Sequence, residues 1–95
     1  MRRENLVALY KNQGKLVEAK PWYDRELAGM QQVRGAEHPE ALLALAKHGD
    51  LLLRMGDAAA AEPELRRAVA GLEKVLGGGH GWTQWAAGRL AAAQA

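Results

Sequence analysis

Three histidines, one run of glycines and several carboxylates are the residues whose chemistry needs sorting first. His38, His48 and His80 lack the spacing of metal ligands, and His38 and His80 are one loop position met twice, 42 residues apart. Gly77-Gly78-Gly79-His80-Gly81 has the glycine content of a phosphate-cradling loop, but no Lys-Ser or Lys-Thr follows it and no strand precedes it. It reads as a link between helices. The chain has no Cys and no Ser, and Thr83 is its only Thr. Thiolate zinc sites, disulfides and cysteine nucleophiles are thereby excluded, and a hydroxyl nucleophile nearly so. Glu62 and Glu64 lie on a helix with no sign of a cleft, which fits a solvated face. No catalytic residue, metal or cofactor is expected, and the chain reads as a non-enzyme.

The bulk composition narrows the class further. The 95 residues suit one small domain, and 48% are hydrophobic with no Phe, so the core is expected to be Leu, Val, Ala and Met. Thirteen basic against eleven acidic residues leave a net charge of +2, too little for the basic stripe of a nucleic-acid binder. No apolar run approaches the ~18–20 residues of a membrane span, and the N-terminus has no signal-peptide core. The absence of cysteine fits a reducing cytosol. A cytoplasmic protein without nucleic-acid or membrane partners is expected.

Self-comparison at an offset of 42 residues gives the organisation. Leu9 aligns with Leu51, Gly14 with Gly56, Ala19 with Ala61, Pro21 with Pro63 and Arg25 with Arg67. The match continues through Ala28 and Ala70, Gly29 and Gly71, Val33 and Val75, Gly35 and Gly77, and His38 and His80. In the second unit, Leu42, Leu45, Gly49 and Leu52 mark one helix face, and Gly56-Asp57 breaks the pattern with Asp57 suited to cap the next helix. Ala58, Ala61, Leu65, Ala68, Leu72 and Val75 form the next stripe. The first unit repeats the plan with Leu6, Leu9 and Tyr10, a break at Gly14, then Leu16, Ala19, Tyr23, Leu27, Met30 and Val33. Five helices are predicted, at about 1–15, 16–34, 39–55, 58–76 and 82–94. They divide one domain into a first repeat (1–38), a second (39–80) and a partial third or capping helix (81–95).

These residues resemble tetratricopeptide repeats, in the 42-residue form found in kinesin light chains and many bacterial proteins. The stretch Asn5 to Lys15 is similar to the family's first helix and turn. Glu18-Ala19-Lys20-Pro21-Trp22-Tyr23 is similar to the start of its second helix, and Glu37-His38-Pro39 to its linker. In the second unit Gly56, Ala61-Glu62-Pro63 and His80 remain, whereas Lys47-His48 stands where Asn-Leu is usual and Gly81 where Pro is usual. The resemblance implies an all-α, right-handed superhelix of helix pairs. The first helix of each pair would line a concave groove for a peptide segment of a partner, so a protein-interaction scaffold is the expected function.

Along such a groove, positions 42 apart stack as ladders: Asn5, Lys47 and Arg89; Asn12 and Arg54; Ala8 and Asp50, with Lys11 at the edge. The resemblance implies that Asn5 and Asn12 hydrogen-bond a peptide backbone, and Lys47, Arg54 and Arg89 would favour an acidic partner. The same polar residues would equally serve as solvated helix faces. Trp82 and Trp85 open a final helix that has no partner helix within the chain, and they are assigned to self-association. Trp22 is expected to pack partly beside the core stripe. Repeat stacks usually need about three units and polar caps. Two and a fraction therefore suggest either a piece of a longer solenoid or a homodimer, end-to-end or swapped. A self-assembling structural element and a regulatory fragment of a larger signalling protein are the alternative functions.

Overall fold

The computed structural model describes residues 3–95, with side chains from Gly14 onward. It contains four α-helices: α1 (Arg3–Arg34), α2 (Pro39–Arg54), α3 (Ala58–Leu76) and α4 (Gly81–Gln94). Five helices were expected, and the difference lies at Gly14, where α1 continues without a break. The equivalent turn in the second unit shows why. There Gly56 takes a φ of +89°, in the left-handed region that suits glycine. Asp57 follows, and its carboxylate accepts the Ala60 N–H at 3.1 Å to cap α3. In the first unit Gly14 is followed by Lys15, whose ammonium has no acceptor to offer an exposed N–H. Without a cap, the glycine alone does not stop the helix. At 1.5 Å per residue its 32 residues span roughly 48 Å, which matches the longest dimension of the molecule, 46 Å.

From the end of α1 onward the boundaries agree with the sequence pattern to within one residue. Two linkers repeat almost atom for atom. Gly35 and Gly77 turn the chain with φ of +91° and +88°. Three residues later His38 and His80 cap α2 and α4 with φ, ψ of −69°, 140° and −70°, 141°. Each Nδ1 accepts a backbone N–H two residues on, from Glu40 at 3.1 Å and from Trp82 at 3.0 Å. The shared histidine is therefore a capping residue, which explains its recurrence.

The core lies where α2, α3 and α4 meet. Leu42, Leu45, Ala46 and Leu52 of α2 pack with Ala61, Leu65, Ala68, Val69 and Leu72 of α3 and Ala86 of α4. Two glycines let α2 and α3 approach closely. A Cβ on Gly49 would sit 2.9 Å from Leu65 Cγ, and one on Gly71 would sit 2.7 Å from both methyls of Leu42. Thr83 is also buried, with no hydrogen-bond partner for its hydroxyl among the described residues, so it is not presented to solvent.

Along α1 the same stripe is present but only partly covered. No side chain from Gly14 to Arg34 is fully buried, and Val33 is 80% exposed. Trp22, expected to pack partly, is 69% exposed and carries the Arg25 guanidinium over its ring, 5.3 Å from the centroid.

Candidate functional site

The sequence-derived binding residues fall into three groups. Asn5, Lys11 and Asn12 lie outside the residues whose side chains are described. Lys47, Asp50 and Arg54 occupy α2, at spacings of three and four that place them on adjoining parts of one face. Arg89 comes from α4, and it reaches Asp50.

Asp50 organises this second group. Its side chain is only 8% exposed and accepts from Arg89 Nε at 2.5 Å, while its other oxygen pairs with Arg54 Nε at 3.2 Å. Two guanidiniums thus share one carboxylate, leaving the cluster with a local charge of one positive unit. Arg54 remains well exposed and Arg89 partly so. Lys47 is about half exposed and lies 3.9 Å from Glu26 of α1. The structure brings together Asp50, Arg54 and Arg89, with Lys47 one turn away. The carboxylate also fastens α4 to α2, a role the ladder argument did not include.

Trp82 and Trp85 lie in the first turns of α4, 36% and 39% exposed. Trp82 meets His80 edge-to-face, with ring centroids 5.4 Å apart. Both rings therefore keep a solvent-facing surface beside the linker.

A second polar cluster was not anticipated. His48 is buried on the core side of α2, flanked by Leu45 and Leu52. Its Nδ1 lies 2.5 Å from Glu64 Oε1 of α3, and its Nε2 lies 2.5 Å from Asp24 Oδ1 of α1. Asp24 is held from the other side by Lys20, at 3.0 Å. Burial alone pushes the imidazolium down, but hydrogen bonds to Glu64 and Asp24, helped by their charges, raise the pKa above the ordinary 6.5. The bond to His48, then that to Lys20, holds the Asp24 carboxyl below its ordinary 3.8. The available signal was a polar His48 inside an apolar stripe, at a position where the resembled repeats carry Leu. The two carboxylates come from helices that are distant in sequence, so the partners themselves were not legible.

The arrangement offers binding surfaces and ion pairs. A search of curated proteins and one of solved structures returned no match. A family model for the tetratricopeptide repeat matches residues 2–74, spanning α1, α2 and nearly all of α3. Members of this family generally mediate protein–protein interaction. The repeated turn glycines, the 42-residue register and this match together show that the chain belongs to the tetratricopeptide repeat family.

Proposed function

We propose that the chain is an interaction scaffold that takes a peptide segment of a partner protein along the surface shared by α2 and α4. The observation that carries this reading is the Asp50–Arg89 bond, which sets the polar faces of α2 and α4 side by side. Lys47 and Arg54 stand exposed beside it. An acidic segment or a C-terminal carboxylate suits the cluster's residual positive charge. On the 42-residue ladder alone, Asn5 and Asn12, with Lys11, are further candidates for contacting the same segment. The 42-residue period supports the kinesin light chain-like type of repeat, and the cysteine-free composition supports a cytoplasmic setting.

Fluorescence anisotropy with an acidic peptide tests it. Lys47→Gln and Arg54→Gln are expected to weaken binding several-fold while the circular dichroism spectrum is unchanged. Arg54→Gln is the better probe at its position, because a Glu there would also repel Asp50. Unchanged affinity in both variants would remove the basic groove.

Self-assembly is the second reading, favoured by the open face of α1. Arg25, Glu26, Gly29, Met30, Val33 and Arg34 line a groove on that helix. At the equivalent positions in α3, Ala68 and Leu72 are fully buried and Gly71 lies against Leu42. A helix like α2 from another copy is the shape that would cover it, with Trp82 and Trp85 as a second contact. Sedimentation velocity across a concentration series separates the readings: a dimer supports self-assembly, and a clean monomer of 10.3 kDa removes it.

A further inference from the structure

The cluster around His48 breaks the repeat at three places at once. One period away, His48 is replaced by Leu6 and Leu90, Asp24 by Arg66, and Glu64 by Trp22. No equivalent position carries an imidazole or a carboxylate. Yet the three departures meet in space within hydrogen-bond distance. They also join helices that share no packing contact with each other among the described residues, since α1 and α3 both rest on α2.

The chemistry of the ring makes the arrangement conditional. Both partners are carboxylates, which only accept. A neutral imidazole has one N–H and one lone pair, so it satisfies one carboxylate and turns a lone pair towards the other. Only the doubly protonated ring donates to both. The other charged groups nearby are already engaged. On α1, Lys20 holds Asp24 and Glu26 faces Lys47 of α2; Asp50 of α2 is taken by Arg54 and by Arg89 of α4. None of these is placed to replace a lost proton on His48.

We propose that His48 is a pH-sensitive latch: its imidazolium ties α1 to the α2–α3 pair through Asp24 and Glu64, and loss of one proton releases one of the two ties. No side chain of α1 from Gly14 onward is fully buried, so this tie acts beside Leu27, which packs against the core, and the Glu26–Lys47 and Arg34–Glu40 pairs in docking that helix. The folded pKa of His48 is raised above 6.5, so the stabilisation is complete below 6.5 and is lost as pH rises through the folded value. Asp24 is held below 3.8, so the contribution of its own tie is lost only as pH falls through that lowered value. The tie between His48 and Asp24 is therefore held from below pH 3.8 to above pH 6.5.

Two measurements on the full chain test this. Nuclear magnetic resonance titration of the ring is expected to place the His48 midpoint above 6.5, and Asp24→Asn is expected to lower it. A wild-type midpoint at or below 6.5, or one unmoved by Asp24→Asn, would overturn the proposal. Thermal unfolding at pH 6 and pH 8.5 provides the second test. The wild type is expected to lose several degrees more than His48→Leu between the two, and equal losses would overturn the latch. The ring titration stands on its own if the leucine variant folds poorly.

Discussion

α1 and α3 are the same helix written twice, and they fare differently. Pro21 and Pro63, Arg25 and Arg67, Gly29 and Gly71, and Val33 and Val75 keep the two in register. Ala61, Leu65, Ala68 and Leu72 are all fully buried in α3. Their counterparts Ala19, Tyr23, Glu26 and Met30 are half-buried or exposed in α1. The difference is the neighbour. α3 has α2 in front of it and α4 behind, whereas α1 rests on α2 alone and runs straight past the point where its own first helix was expected to fold back. An amphipathic stripe specifies a helix, but burial of that stripe depends on a turn being capped elsewhere.

The same comparison orders the consequences of mutation. The largest contrast is expected between Leu72→Ala, which empties a fully buried site and should cost about 2–5 kcal/mol, and Met30→Ala, whose site is only half-covered. For the latter about 1 kcal/mol or less is expected by urea denaturation, scaled to its smaller burial. Equal losses would mean that α1 is as well packed as α3. Next come the paired glycines. Gly71→Ala pushes a methyl onto Leu42 and should destabilise by about 1–3 kcal/mol. Gly29→Ala meets nothing within 4 Å and should be neutral or stabilising by up to about 1 kcal/mol, from helix propensity.

Capping gives a smaller effect. Asp57→Ala should cost about 1 kcal/mol through loss of the bond to Ala60 N–H. Lys15→Ala at the equivalent position should leave stability unchanged, since nothing is capped there. The smallest effect is expected at the exposed pair between Arg66 and Glu62. Arg66→Ala should change stability by less than roughly 0.5 kcal/mol, because an exposed i, i+4 ion pair gains little over its hydration.

Much of this was legible in the sequence. The period of 42 and the paired glycines mark the linkers, and the apolar spacing marks the faces of α2 and α3, with Gly49 on the first of them; that Leu65 is what Gly49 meets is seen only in the structure. The break at Gly14 was misread because a glycine permits a turn without enforcing one. The difference between Asp57 and Lys15 decides the outcome, and identity matching passes over it. For the candidate site, position on α2 and α4 followed from the ladder, but the pairing of Asp50 with two arginines did not. Which of several neighbouring charges meet depends on helix packing, which periodicity leaves open. His48 was hardest to place, because its two partners come from α1 and α3 and no local spacing links them.

Amide hydrogen exchange, followed residue by residue at pH 6, tests the central contrast most directly. Amides of α3 from Ala61 to Leu72 should exchange only through global unfolding. Those of α1 from Leu16 to Val33 should open locally, with protection at least roughly tenfold lower. Equal protection along both helices would contradict the account, because it would require the open face of α1 to be covered.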